Sequence, residues 1–276
     1  MSDTIRIGDF EVPRIGFGTL YIPEKRGFGP AREGAAELLR EAARLGVAFF
    51  DTADSYGNGS AERALHDALH PYDGLAIATK GGFRHDRPGS WIMDASPERL
   101  RSALEGSLKR LGVECIDLYQ LHCVDRRYAY ADLVGTLADC QREGKIRHIG
   151  ISNVGLDEVE IARGEAEIVS VQNAFNVRHR WGADVLDYCT ENGVAFIPWM
   201  PLGDGTISWN DPVLQRLAIG HDATPAQIAL AGLLHASPVM LPIPGTGSIA
   251  HLRENVAAGE IALDANDLKR LWPDRR

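Results

Sequence analysis

The chain has 276 residues, 45% of them apolar and 24% charged, and a net charge of −9 from 29 basic and 38 acidic side chains. This is ordinary globular usage, so disorder or coiled coil throughout is excluded. The acidic balance argues against a nucleic-acid partner, whose phosphates need clustered positive charge. No stretch approaches the ~18 uninterrupted apolar residues of a membrane span. The most apolar region, 226–243, is broken by Gln227, His235, Ser237 and two prolines. The opening MSDTIRIGDF lacks the apolar core of a signal peptide. Cys115, Cys123, Cys140 and Cys189 show no CxxC or metal-finger spacing. The expectation is a cytoplasmic protein with reduced thiols and no metal site.

In chain order, Gly8-Asp9 inside 5–10 predicts a small hairpin. Eight short apolar runs follow, at 14–18, 48–52, 75–80, 116–122, 148–152, 168–172, 194–199 and 239–243. Most are nearly continuous in apolar residues, which suits strands covered on both faces, as in a parallel sheet. Helical spacing alternates with them at 32–45, 61–69, 97–111, 131–142, 156–163, 182–192 and 225–236, and once more at 264–271. Ser96-Pro97 and Thr224-Pro225 are N-cap-then-proline starts, and Leu45-Gly46 and Asn192-Gly193 are stops. No Pro/Gly/Ser-rich tract cuts the chain. The pattern predicts one α/β domain over 1–276. Its fold is a (β/α)8 TIM barrel with a short N-terminal hairpin and a C-terminal extra helix. A doubly wound sheet would want a third glycine after its first strand. Here Gly16-Phe17-Gly18-Thr19-Leu20-Tyr21 has Tyr21 at that place.

A barrel of this kind carries its site at the C-terminal strand ends. Those ends hold Asp51, followed by Tyr56, then Lys80, His122, Ser152-Asn153, Gln172 and Trp199. A Gly-Thr-Gly-Ser turn, 245–248, follows the eighth run. One polar residue closing an apolar strand is readily structural, but seven strand ends in register call for a shared pocket.

Phe50-Asp51-Thr52-Ala53-Asp54-Ser55-Tyr56-Gly57 with Glu62 resembles the signature of the aldo-keto reductase family. Ala78-Thr79-Lys80, Asp117-Leu118-Tyr119-Gln120-Leu121-His122, Gly150-Ile151-Ser152-Asn153, Val171-Gln172-Asn173 and Pro201-Leu202-Gly203 follow in that family's order. So does Ile243-Pro244-Gly245-Thr246-Gly247-Ser248 through Glu254-Asn255. Gly27-Phe28-Gly29-Pro30, Ser90-Trp91 and His251-Leu252-Arg253-Glu254-Asn255 are most similar to a bacterial pyridoxal-reductase-like branch.

The resemblance implies an NADPH-dependent reduction of an aldehyde or ketone, with NADH as the alternative cofactor. A small carbonyl compound, such as pyridoxal, would be the partner, and the barrel would work as a monomer or weak homo-oligomer. Tyr56 would be the general acid, tuned by Lys80 and Asp51, with His122 orienting the carbonyl oxygen. A phenol titrates near 10, too high for fast donation at neutral pH, and a neighbouring ammonium lowers it. No side chain donates hydride, so a cofactor is required. By the same resemblance Ser152, Asn153 and Gln172 clamp a nicotinamide amide, and Trp199 stacks on its ring. Gly18, Thr19, Asp51, Leu202 and Gly203 line the cofactor path. Thr246, Gly247, Ser248 and His251 surround a phosphate, and Glu254 and Asn255 meet adenine. Tyr21 and Trp91 are candidates for the substrate pocket or for loop anchors.

The chain departs from the family where many members place a lysine and an arginine around the 2′-phosphate: here stand Gly245 and His251. Thr246, Ser248, backbone N–H groups and Arg253 are then expected to hold that charge. Two other classes fit the sequence less well. A silent nucleotide-binding barrel, acting as a sensor or regulatory subunit, could dispense with Tyr56 or Lys80, yet both are present. A hydrolase would want a second carboxylate at a strand end, and none stands there.

Overall fold

The computed structural model describes residues 4–273. Seven strands form one parallel sheet in sequence order: Phe17–Gly18, Phe49–Asp51, Ala76–Gly81, Ile116–Leu121, Ile146–Ser152, Ile168–Ala174 and Ala195–Trp199. Register brings their polar ends level. Gln120 pairs with Lys80, and Ser152 with Gln172.

The expected eighth strand is reduced to one parallel bridge, Phe196 with Met240. Its backbone still joins both edges of the sheet. Leu241 N donates to Phe196 O at 2.9 Å, and Gly16 N donates to Pro242 O at 3.0 Å. Pro242 and Pro244 have no N–H to give, so a ladder cannot continue there.

The hairpin Thr4–Ile7/Phe10–Pro13 plugs the N-terminal end of the sheet. Ile5, Ile7 and Val12 pack with Phe49, Leu118, Val169, Ile197 and Leu241 in a core inside the ring of strands. A larger core lies between the strands and the outer helices. With one end plugged by apolar side chains, a site is left to the other.

The helices follow the caps read in the sequence. Ser96 accepts from Arg99 N ahead of Pro97–Leu111, and Thr224 forms a capping box with Gln227 ahead of Pro225–Ala236. The same signal, Asp211-Pro212, starts a helix at Pro212–Gly220 that the sequence reading passed over. A nine-residue helix, Ile249–Ala257, begins at Ser248, and Ala265–Leu271 is the extra C-terminal helix. Two further hairpins, Pro23–Lys25/Phe28–Ala31 and Phe83–Arg84/Ile92–Met93, follow the first and third strands of the sheet where only loops were expected. Among the described residues no helix is long and apolar enough to cross a membrane.

Candidate active site

The polar strand ends converge on one buried charge pair. Lys80 Nζ donates to Asp51 Oδ1 at 2.5 Å and to the Thr52 carbonyl at 2.8 Å, and both charged side chains are out of solvent. Two charges removed from water are costly unless every remaining lone pair is used. Here they are used. Asp51 Oδ2 accepts from Gln120 Nε2 at 3.0 Å and from Gln172 Nε2 at 2.9 Å. Gln172 Nε2 also reaches Gln120 Oε1 at 3.2 Å. Gln120 was not among the sequence candidates. A polar residue inside the apolar run 116–121 was the signal that could have found it.

Tyr56 lies on the cavity side of this pair, with Lys80 Nζ 5.1 Å from its ring centroid. Its ring meets the His122 ring edge-on at 6.1 Å. His122 is placed by its own N–H, which extends the ladder to Gly81 O at 2.9 Å. Burial pushes the Tyr56 phenol above its ordinary value; Lys80 pulls it down and Asp51 pushes it back up. The expected lowering is therefore outweighed by desolvation, and the phenol is held protonated. Burial works against the Lys80 ammonium, but Asp51 and Tyr56 more than restore it, and the net direction is up. Burial, with Lys80 and His85 adding, drives His122 well below 6.5, so its ring is neutral at physiological pH.

These groups open on a cavity of about 730 Å³. Its wall holds Gly18, Thr19, Tyr21, Asp51, Tyr56, Trp91, His122, Ser152, Asn153, Gln172, Trp199, Leu202, Thr246 and Gly247. Lys80 lies behind that wall. Gly203, Ser248, His251, Glu254 and Asn255, also expected at the ligand, are not part of it. Asn255 is buried, and the Glu254 carbonyl accepts from Gln227 Nε2 at 3.1 Å.

Several candidates also bond to one another. Ser152 Oγ donates to Gln172 O at 2.8 Å, Asn153 Nδ2 to His122 O at 2.9 Å, and Trp199 Nε1 to Asn153 Oδ1 at 3.0 Å. Gln172 spends its amide nitrogen on Asp51 and Gln120, which leaves its Oε1 for a ligand.

Trp91 serves as both wall and anchor. It stands edge-on to Tyr56 and His122 and packs on Phe83 and His85. Tyr21 lines the cavity and donates to Asp204, which also pairs with Arg26. Arg26 and Phe83 are further wall residues the sequence reading lacked.

The 245–248 turn is partly self-capped. Ser248 N donates to Thr246 Oγ1 at 3.0 Å and His251 N to Ser248 Oγ at 3.5 Å. The amides of Gly247, Ile249 and Ala250 make no such bond among the described residues. Arg253 does not reach the turn: its Nε and Nη2 donate to Glu41 at 3.1 and 2.9 Å. All four cysteines are free thiols, three of them buried. Among the described residues no cluster of three or more His, Cys, Asp or Glu could hold a metal ion.

A profile of the aldo/keto reductase family matches residues 14–272. The chain belongs to this family. Pyridoxine 4-dehydrogenase of Escherichia coli is 39% identical over 280 residues, which cover 98% of this chain and 97% of that protein. The thermostable aldo-keto reductase Tm1743, solved with the inhibitor epalrestat, superposes with a TM-score of 0.85 at 31% identity, covering 97% of this chain and 98% of that one. An aldo/keto reductase from Klebsiella pneumoniae, solved with NADP and acetate, gives 0.83 at 25% identity, covering 99% and 95%. As an aldo-keto reductase the chain falls among oxidoreductases, and its barrel is shared with these structures.

Proposed function

We propose that this aldo-keto reductase uses NADPH to reduce a small aldehyde or ketone to the alcohol, working as one barrel domain over its 276 residues. The observation that carries the reading is the Tyr56 phenol, set between the buried Lys80–Asp51 pair and the His122 imidazole at the wall of an open cavity. The residues suit a dinucleotide. Gln172 Oε1 offers an acceptor to an amide NH2, and the partnerless amides after Gly247 offer donors to a phosphate. Ser152, Asn153, Trp199 and Leu202 would hold the remainder. The bound cofactor would supply the hydride.

The chain's own residues supply the rest. His122, neutral, donates a hydrogen bond to the carbonyl oxygen and fixes it against Tyr56. Tyr56 gives its proton to the developing alkoxide. Lys80 stabilises the phenolate left behind, and Asp51 holds Lys80 charged and aimed. Trp91, Phe83 and His122 present flat faces and edges, which favour a flat carbonyl compound. Pyridoxal is the first substrate to try, supported by the name of the E. coli relative. Free thiols fit a cytoplasmic setting. The reading keeps the barrel as a monomer or weak homo-oligomer.

The test combines tryptophan-fluorescence titration with turnover on a panel of carbonyl compounds, pyridoxal included, using NADPH and NADH. Tyr56→Phe is expected to abolish turnover, roughly 100-fold or more in kcat, while leaving NADPH quenching intact. Near-normal kcat in that variant would refute the assignment.

A further inference from the structure

The phosphate turn raises a question of charge. A Cβ at position 245 would lie 2.7 Å from the Gly18 carbonyl oxygen, so this backbone admits no cationic side chain there. His251 is exposed on the first helical turn, and Arg253 is committed to Glu41. A cation nevertheless touches the turn, and it comes from elsewhere in the chain. Arg32 precedes the helix Ala35–Arg44. Its Nη2 donates to Pro23 O at 3.2 Å. Its Nη1 lies on the backbone of Gly247, only 2.2 Å from where a Cβ would be built. A side chain at position 247 would push the guanidinium off this contact. Arg32 Nε is buried without a partner, and Arg32 has no carboxylate partner among the described residues. Arg26, Arg44 and Arg253 are each paired with an acid.

We propose that Arg32 is the specificity-determining residue for the phosphorylated dinucleotide. It supplies the cation for the 2′-phosphate beside the amides of Gly247, Ile249 and Ala250. A guanidinium presents a fork of donors suited to phosphate. Arg32 is not part of the cavity wall but touches Gly247, which is. This rests on the cofactor reading above.

The experiment is a tryptophan-fluorescence titration of the full chain with NADPH, NADH and 2′,5′-ADP, in wild type, Arg32→Met, Arg32→Lys and Gly247→Ala. The wild type is expected to bind NADPH at least tenfold tighter than NADH. Arg32→Met should weaken NADPH about 10- to 100-fold, leave NADH within about twofold and lose 2′,5′-ADP. Arg32→Lys should recover part of the loss. Gly247→Ala, whose methyl would push Arg32 Nη1 off the turn, should weaken NADPH as well. Equal weakening of both dinucleotides in Arg32→Met, or a wild type with no preference, overturns the proposal while the reductase reading stands. Failure of the wild type to bind either dinucleotide overturns the reductase reading itself.

Discussion

Replacing Lys80 by methionine tests the acid–base machinery most directly, because the side chain keeps its length and loses only its charge. Lys80 Nζ lies 5.1 Å from the centre of the Tyr56 ring, and a negative charge about 5 Å from an ammonium gains roughly 3 kcal/mol at an effective dielectric near 20. Burial already holds Tyr56 above its ordinary value. Loss of Lys80 raises it further and makes the phenol a poorer acid. We expect kcat to fall about 100-fold or more, since general acid catalysis of this kind contributes roughly 10²–10⁴. The variant also leaves Asp51 without its counter-ion. Breaking a buried pair costs about 3–5 kcal/mol, here softened because Gln120 and Gln172 still donate to Oδ2. Circular dichroism and NADPH quenching should first show a folded, cofactor-binding protein. The kcat–pH profile for reduction is then measured in wild type and variant, with deuterated cofactor to isolate hydride transfer. The alkaline limb should move to higher pH as kcat drops. A folded variant with kcat within threefold of wild type and an unmoved profile would refute the coupling of Lys80 to Tyr56.

Two further substitutions probe the surroundings. Gln120→Leu removes one donor to Asp51 and one acceptor for Gln172. It should cost about 1–3 kcal/mol of stability and raise the Kd for NADPH as the Gln172 amide loses its anchor, as read by urea melts and fluorescence titration; unchanged NADPH affinity would detach Gln120 from the cofactor side. Asp54, behind the site, pairs with Arg99 at 2.8 Å while its Oδ1 is buried without a partner. Burial first, then the Glu62 charge, pushes it up to about 7 from 3.8. A carboxyl raised on folding stabilises the native state fully below its unfolded value, and that contribution is lost as pH rises through about 7. Asp54→Asn should therefore gain stability relative to wild type between pH 5 and 8, by at most about 4 kcal/mol. Parallel Tm–pH curves for the two proteins would show that Asp54 is ionised throughout.

Local chemistry alone dictated a good part of this protein. Continuous apolar runs such as 116–122 and 168–172 form strands because both faces are covered, and Ser96-Pro97 starts a helix because cap and first turn are satisfied within four residues. The ends of the apolar runs already named Asp51, Lys80 and His122, since a polar group closing a buried strand needs a partner, and the family resemblance singled out Tyr56 in the loop after Asp51. Tertiary structure decided what depends on residues distant in the chain. Pro242 and Pro244 are visible in the sequence, but only the closed ring shows how little ladder their missing N–H groups leave to the eighth strand. Gln120 shares Asp51 with Lys80 and Gln172 across four strands. The direction of the Tyr56 shift turned on burial, which outweighs the ammonium that the sequence placed beside it. The guanidinium of Arg32 on Gly247 joins residues more than two hundred positions apart. Periodicity and capping act within a few residues and are legible in one dimension; desolvation, closure of the barrel and the packing of one loop on another are properties of the folded volume.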